Sequence, residues 1–469
     1  MSEKNTFSAK HSNEASRPEG NPDNYVPQLD ARHKIVEILT KIETRQAFTD
    51  KLLERSIDDF NDRDRGLITE VVNGVLRWQY RLDWYLSQLY IGEFADLIPD
   101  VKNNLRASLY QLLSLDRVPD YAVLNEAVEI AKNKFNQKTA NLVNAILRNF
   151  LRQQKKLEYM EMQLDILERM AVRYSHPSWL LQRWIEYWGV DEALKLCECN
   201  NCRPRVTARI NHLLADEEVF FKILSEHQVE YQRHPDFENF IWISDFSEFR
   251  KLDFLKRGWV SIQDMSTAIP VRLLNPQPGE SVLDMCAAPG GKSSLIAEKM
   301  QNSGLLLAMD RHYNRAKALN DNLRRLGVSI ARVVAADALK PIVNHSFDRI
   351  LVDAPCTGFG VLSKRVDLKW KRTEDDIRNM RRVQIQMLDS ASRLLKPDGK
   401  IVYSTCTIEP EENEKVVEEF IETHSDFRLD RITGELPDKY IVNQSYVRTF
   451  PHKHKIDGSF CARFHKIRR

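Results

Sequence analysis

The stretch Ser281–Ser293, SVLDMCAAPGGKS, decides the fold of the C-terminal half of the chain. Its apolar residues predict a short buried parallel strand that ends near Met285. A Pro-Gly-Gly turn follows and leads into a helical pattern from Lys292 to Met300. Such a turn presents free backbone N–H groups to an anion or a nucleotide. Neither the phosphate-binding motif GxxxxGK nor the dinucleotide-binding motif GxGxxG is present. Many α/β proteins use a glycine turn only to turn the chain tightly, so the turn alone identifies no ligand.

Four further apolar runs follow, and each ends in a polar or reactive side chain. Runs 305–309, 332–336, 350–352 and 401–403 are followed by Asp310, Asp337, Asp353 and the loop Ser404-Thr405-Cys406. The carboxyl ends of parallel strands meet at one edge of a sheet, where ligands bind in doubly wound folds. Asp310 lies 310 − 290 = 20 residues after Gly290, about the spacing at which an acid meets ribose hydroxyls. The sequence therefore predicts an open, doubly wound, Rossmann-like α/β domain with one ligand crevice.

These motifs resemble those of the RNA (cytosine-5)-methyltransferases that use S-adenosylmethionine (SAM). CAAPGGK, DAPCTG and STCT are similar to that family's cofactor corner, base-binding loop and nucleophile loop. With the N-terminal third, described below, they narrow the resemblance to bacterial small-subunit (16S) rRNA methyltransferases of the RsmB (Sun/Fmu) type, over roughly residues 30–469. The resemblance implies methyl transfer from SAM to C5 of a cytosine in 16S rRNA. We expect a cytoplasmic monomer that needs neither a metal nor a membrane.

The expected cofactor site lies at the first strand ends. The resemblance implies that the SAM corner consists of Cys286, Ala287, Ala288, Pro289, Gly290, Gly291 and Lys292. Asp310 is expected to accept hydrogen bonds from the SAM ribose, and Asp337 to face the adenine. Asp337 could equally cap the next helix. Asp353 is expected at the border between the cofactor and the base.

Two cysteines are expected to carry the chemistry. Cytosine C5 is a poor nucleophile, so its methylation requires prior attack on C6, for which a thiolate is well suited. In the resembled family the cysteine of the Thr-Cys pair, here Cys406, is the nucleophile, and that of the Pro-Cys pair, here Cys356, is implied to help release the product. DNA cytosine-5 methyltransferases lack the second cysteine, so the pair favours RNA. We expect Asp353 to face N3 and the exocyclic amine of the base, beside Lys292.

The rest of the chain predicts three further segments. Residues 1–29 have hardly any apolar residues and predict a disordered tail. Residues 30–160 carry helical stripes such as Leu67, Val71 and Val75, and resemble the NusB-type RNA-binding bundle; a helical docking module without RNA is the alternative. Residues 161–262 are expected to form a helical linker and a small α/β, RRM-like subdomain, and residues 263–469 the methyltransferase domain.

Composition fits a protein of a reducing cytosol. The 469 residues carry a formal net charge of +2, and no apolar run approaches the length of a membrane span. Seven cysteines, an odd number, form no disulfide framework. The sequence CECNNC, with Cys197, Cys199 and Cys202, lacks the second ligand pair that structural zinc usually needs, so we expect helix-end packing there. His452 and His454 are expected in an exposed basic loop.

Two basic segments, residues 311–332 and 448–469, are expected to flank the active site and to contact RNA phosphates, although such runs are often only solvated faces. Asp457–Phe460, DGSF, resembles the family's DGFF, with Ser459 in place of an aromatic residue. Two other functions stay open. One is a tRNA cytosine-5 methyltransferase of the same catalytic family, and the other is a non-catalytic ribosome-assembly or antitermination factor with a vestigial sheet domain.

Overall fold

Helices build the N-terminal part of the computed structural model, which describes residues 30–45, 49–341 and 343–468. The predicted tail, residues 1–29, lies outside the described residues. The bundle consists of α1 (Ala31–Arg45), α2 (Thr49–Ser56), α3 (Asp62–Leu89), α4 (Pro99–Ser114), α5 (Asp120–Lys134) and α6 (Gln137–Met162). The side chain of Asn61 caps α3 by accepting the N–H of Asp64 at 3.0 Å. The predicted stripe of α3 is confirmed, because Val71 and Val75 are buried in the bundle core.

Three linker helices join the bundle to the rest: α7 (Ile166–Tyr174), α8 (Ser178–Trp188) and α9 (Val190–Asn201). Trp184 is fully buried in a core that also contains Phe359 and Ile408 of the catalytic domain. Cys197 is buried near the end of α9, as expected for helix-end packing. Within the described residues, no three His, Cys, Asp or Glu side chains are grouped so that they could hold a metal ion.

A small antiparallel sheet follows the linker. Its elements are β1 (Val206–Ile210), α10 (Glu217–Glu226), β2 (Tyr231–His234), β3 (Phe237–Ile243), α11 (Phe246–Lys251) and β4 (Val260–Ile262), with strand order β2-β3-β1-β4. This order is the ferredoxin-like arrangement, which RRM domains share. One face packs on its own two helices. The other face packs on the catalytic domain, where the buried Arg209 donates to Glu298 at 2.6 Å and to Ser294 at 2.7 Å.

The catalytic domain is built on a mixed sheet. Its elements are α12 (Ala268–Leu274), β5 (Ser281–Asp284), α13 (Gly291–Lys299), β6 (Leu305–Asp310), α14 (Tyr313–Arg325), β7 (Ala331–Ala335), β8 (Phe347–Asp353), α15 (Leu368–Lys371), α16 (Glu374–Leu394), β9 (Leu395–Thr405), α17 (Glu414–Thr423), β10 (Phe427–Leu429), β11 (Ile441–Val442), β12 (Tyr446–Thr449), α18 (Pro451–His454) and β13 (Ser459–Lys466). The order is β11-β12-β13-β9-β8-β5-β6-β7, and β10 pairs with β13.

The five strands β9, β8, β5, β6 and β7 are parallel, which confirms the doubly wound part of the prediction. The antiparallel strands beyond β9 were not predicted. Strand order reverses at β5, which lies between β6 and β8. Ligands of doubly wound sheets bind at such a switch point. Across the described ranges, no helix combines the length and the apolar character needed to cross a membrane.

Candidate active site

The turn between β5 and α13 is held in shape by backbone bonds and by α14. The N–H of Ala287 donates to Met309 at 2.7 Å, and the N–H of Gly290 donates to Ala287 at 2.7 Å. Gly290 has φ +105°, and a Cβ there would lie 2.8 Å from Leu319, so both the conformation and the space require glycine. The predicted SAM corner is therefore a rigid turn at the switch point of the sheet.

A cavity of about 340 Å³ opens beside this turn. The turn residues line it, together with Asp284, Lys292, Asp353 and Gln263. Asp284 is fully buried; one carboxylate oxygen accepts the hydroxyl of Ser293 at 2.6 Å, and the other has no hydrogen-bond partner among the described residues. Burial raises the pKa of Asp284 to about 6. The cavity thus offers a ligand one free, buried acceptor.

Asp284 was missed by the sequence reasoning. Asp284 is the last residue of β5, just as Asp310 is the last of β6 and Asp353 the last of β8. The expectation that polar residues at the ends of parallel strands face the ligand could therefore have included it. Cys286, which also lines the cavity, is half-buried, and burial raises the pKa of its thiol.

Asp310 and Asp337 lie at the next strand ends and outside the lining of this cavity. Asp310 is 4% exposed, accepts the N–H of His312 at 3.0 Å and pairs with Arg315 at 3.2 Å. Asp337 accepts the N–H of Leu339 at 3.0 Å, so it closes a local turn. Their roles toward ribose and adenine stay predictions.

Asp353 joins the helix after the glycine turn to the neighbouring strand. One of its oxygens accepts from Lys292 at 2.7 Å, and the other accepts the hydroxyl of Ser404 at 2.6 Å. Burial alone would lower the pKa of Lys292, but the attraction of Asp353 outweighs it and raises that pKa. Lys292 is therefore an ammonium held at the end of β8.

The two predicted cysteines are in contact, with a distance of 3.2 Å between Cys356 Sγ and Cys406 Sγ. Cys406 is exposed and Cys356 is half-buried. A hydrogen bond from the Cys356 thiol lowers the pKa of Cys406, and the same bond together with burial raises the pKa of Cys356. The pair is therefore asymmetric, since the contact favours the thiolate form of Cys406 and the thiol form of Cys356.

Glu412 holds both cysteine loops and was also missed by the sequence reasoning. It is fully buried and accepts the N–H of Thr357 at 2.9 Å, the Thr357 hydroxyl, and the amide of Gln384 at 3.0 Å. The Thr357 hydroxyl also lies 3.0 Å from that of Thr407. Burial raises the pKa of Glu412 to about 7. One carboxyl group thus fixes the residue after Cys356 relative to the residue after Cys406.

The linker supports the same loops from the other side. Glu409 is fully buried and accepts from Arg183 at 2.9 Å and from the indole of Trp184 at 3.0 Å, both on α8.

Gly458 donates to the carbonyl of Gly360 at 2.8 Å, and Gly360 donates to the carbonyl of Cys406 at 3.0 Å. A Cβ on Gly360 would lie 2.0 Å from the Gly458 carbonyl, so the DGSF segment packs directly on the loop of Cys406.

The C-terminal basic segment differs from the prediction. Arg448 pairs with Glu414, Arg463 pairs with Asp430 at 3.1 Å, and Lys466 donates to main-chain carbonyls. These three cations are used inside the fold, so the expectation of a free basic face is wrong for them. His452 and His454 were expected in an exposed loop, but they form the short helix α18 because Pro451 begins a turn there.

Segments of the chain match three family models. Residues 271–465 match 16S rRNA methyltransferase RsmB/F, residues 29–152 the NusB family, and residues 176–248 the ferredoxin-like domain of RsmF/B-like methyltransferases. The order is that of the three predicted domains, and the match confirms the predicted NusB-like bundle and methyltransferase fold. The small subdomain is ferredoxin-like, which is consistent with the predicted RRM-like topology.

Whole-chain relatives agree with these matches. The probable ribosomal RNA small subunit methyltransferase B of Bacillus subtilis (strain 168) is 36% identical over 439 residues, which cover 92% of this chain and 97% of that protein. The crystal structure of PH0851 has a TM-score of 0.80 at 27% identity, covering 94% of this chain and 99% of that one. A methyltransferase homologue from Pyrococcus horikoshii has a TM-score of 0.57 at 31% identity, covering 65% and 100%. The chain therefore belongs to the ribosomal RNA small subunit methyltransferase B family.

Proposed function

We propose that the protein transfers the methyl group of SAM to C5 of a cytosine in 16S rRNA, through a covalent bond between Cys406 and C6. The observation that carries the proposal is the contact between Cys406 and Cys356, next to the ion pair of Lys292 and Asp353. Membership of the family supports RNA methylation as the activity. The arrangement of a thiolate, a thiol and an ion pair favours C5 of cytosine as the acceptor of the methyl group.

The cavity beside the β5–α13 turn fits one part of SAM. Its free acceptor on Asp284 suits the ammonium group of the methionine part, and the glycine turn allows the backbone to approach the ligand closely. When bound, SAM supplies an electrophilic methyl group. We assign Asp310 to the ribose hydroxyls and Asp337 to the adenine.

The nucleophilic step follows from the state of the two thiols. The Cys406 thiolate forms a bond to C6, and the C5–C6 electron pair moves into the ring toward N3 and O2. The pair of Asp353 and Lys292 faces this edge of the base, where the carboxylate accepts from the exocyclic amine and the ammonium compensates the negative charge. C5 then becomes nucleophilic enough to receive the methyl group.

The release step needs a base for the C5 proton, and Cys356 is suited to it. In the free protein, its hydrogen bond to Cys406 is the largest cause of its raised pKa. Once the sulfur of Cys406 is bonded to C6, it is no longer a thiolate acceptor, so the pKa of Cys356 falls. Cys356 can then release its thiol proton to solvent, and the resulting thiolate takes the C5 proton while the bond between Cys406 and C6 breaks, which restores the Cys406 thiolate.

Relatives named as small-subunit rRNA methyltransferases favour rRNA over tRNA as the substrate. The complete constellation of thiols, ion pair and cofactor corner argues against a non-catalytic assembly factor. We also propose that the domains divide near residues 160 and 262, as predicted, and that residues 30–160 contact RNA. The end of α6 at Met162 and the end of β4 at Ile262 support these limits.

Methylation of a 16S rRNA transcript by the purified protein tests this function. With methyl-labelled SAM, we expect label in 5-methylcytidine after nuclease digestion and mass spectrometry. Bisulfite sequencing of rRNA from cells with and without the gene should locate the same cytosine. Label in any other nucleoside, or full activity of Cys406→Ala, would refute the proposal.

A further inference from the structure

A basic cleft lies between the linker, the ferredoxin-like subdomain and the catalytic domain. It consists of two adjoining cavities of about 500 and 380 Å³, which share Arg205, Trp242 and Lys455 in their walls. The end of α9 and strands β1 and β3 form one wall, and residues 451–457 form the other. Basic side chains outnumber carboxylates along it.

One end of this basic cleft reaches the active site. Asp264, Lys364 and Asp457 line that end. Lys364 lies in the loop that follows Cys356, and the residue after Asp457 belongs to the backbone chain of hydrogen bonds that leads through Gly360 to Cys406. Gln263, the neighbour of Asp264, lines the cofactor cavity. A ligand in the cleft would therefore continue directly toward the two thiols.

Three of the four carboxylates that line the cleft contact a lysine, and the fourth, Glu198, accepts from the hydroxyl of Tyr174. Asp264 and Asp457 share Lys364, at 2.6 and 2.9 Å. Asp236 pairs with Lys439 at 2.6 Å.

Arg205 and Lys455 carry the positive charge that the cleft can offer to a ligand. Neither Arg205 nor Lys455 has a carboxylate partner in the part of the chain that the structure describes, and both are exposed. The guanidinium of Arg205 lies 5.3 Å from the centre of the Trp242 ring, which holds its planar group in place. A fixed guanidinium and a free ammonium suit phosphate oxygens.

We propose that this basic cleft binds the phosphates of the single-stranded RNA segment next to the target cytosine. The inference rests on the proposed function, because a base that enters the active site must first leave its helix, so that the adjoining nucleotides are unpaired too. RRM domains bind RNA on the open face of their sheet. Here that face is buried against the catalytic domain, with Arg209 and Phe240 fully covered. We therefore place the RNA strand in the cleft at the end of the sheet.

Binding of a labelled 15-nucleotide single-stranded RNA with one cytosine, measured without SAM at several salt concentrations, tests this inference. The double variant Arg205→Ala/Lys455→Ala removes the two free cations. Lys222→Ala/Lys256→Ala removes the same charge from exposed positions, 75% and 83% accessible, that do not line the cleft. The slope of log affinity against log salt is negative, and we expect it to become shallower by about 1.4 in the first variant only, at about 0.7 per phosphate contact. Between 50 and 200 mM salt, its affinity should therefore fall roughly sevenfold less than that of the wild type.

A second readout needs no substitution. Cys202 is an exposed thiol in the wall of the cleft. Bound RNA should protect it from N-ethylmaleimide, as measured by mass spectrometry of its peptide. Unchanged slopes and an unprotected Cys202, in a protein that methylates RNA, would overturn the inference and leave the function standing. A wild type that neither binds nor methylates RNA would refute both. Protection of Cys202 by polyglutamate but not by RNA would make the cleft a protein-docking site and overturn the inference.

Discussion

The substitution Glu412→Gln should remove a pH-dependent cost from the folded protein. Burial raises the pKa of Glu412 from its ordinary value of 4.5 to about 7. An acid whose pKa is higher in the folded protein than in the unfolded chain stabilises the folded state fully only below the pKa of the unfolded chain. Its contribution to the free energy of unfolding is lost as the pH rises from about 4.5 to about 7. With 1.36 kcal/mol per pKa unit, the wild type should lose about 2.5 kcal/mol between about pH 5 and about pH 8 through this group.

Glutamine can keep the local bonds. Its carbonyl oxygen can accept from the N–H of Thr357 and from Gln384, and its amide can donate to the Thr357 hydroxyl, which then donates to Thr407. The stability of the variant should therefore lack this pH dependence while the two cysteine loops keep their positions.

Urea unfolding of both proteins across this pH range measures the effect as a difference at each pH. Glu418→Gln, exposed on α17, is the matched control for the loss of one carboxylate. The difference between Glu412→Gln and the wild type should grow by about 2.5 kcal/mol toward high pH. A constant difference would show that Glu412 is ionised in the folded protein to the same extent as in the unfolded chain, and the proposed effect of its burial would then be wrong.

Three other outcomes are expected. Cys356→Ala should accumulate a covalent protein–RNA adduct on denaturing gels with SAM and labelled RNA, whereas Cys406→Ala should form none; the reverse pattern would exchange their roles. Asp310→Ala should weaken SAM binding by about 1.5–3 kcal/mol, roughly 10- to 150-fold, in calorimetry, because a charged acceptor is lost; unchanged affinity in a folded variant would exclude it from the cofactor site. Lys369→Met should make the joint between bundle and catalytic domain more sensitive to limited proteolysis, because Lys369 donates to the carbonyls of Arg77 and Ser175, both at 2.9 Å; wild-type resistance would contradict this.

The parallel strands were predictable because each is a continuous apolar run followed by a polar side chain. The antiparallel edge was not, because its burial depends on partners. Strand β13, SFCARFHK, carries basic residues that resemble a surface pattern. In the fold, Arg463 is buried between Asp430 and Glu435, at 3.1 and 2.8 Å. The sequence alone cannot show which cations are neutralised in this way.

The two cysteine loops and the glycine turn could be predicted because their motifs are local. The support of the cysteine loops could not. Glu412 bonds to Thr357, 55 residues away, and Glu409 bonds to Arg183, 226 residues away. A glutamate on a polar loop is exposed in most proteins. Only the fold shows that these two carboxylates are buried and that they act on the cysteine loops.

The helical bundle and the catalytic domain share one joint, so they are not independent modules. The indole of Trp370 donates to the carbonyl of Leu76 at 2.6 Å, and the buried Lys369 beside it donates to Arg77 in the same turn of α3. Arg77 returns a bond to Ser363, just before the Lys364 of the basic cleft, at 3.2 Å. Deleting the bundle would leave the amino group of Lys369 without one of its acceptors and would expose apolar surface, which costs stability irrespective of RNA. The contribution of the bundle to RNA binding must therefore be measured with surface substitutions in the whole chain, since a truncation would also disturb the loop that leads from Cys356 to the cleft.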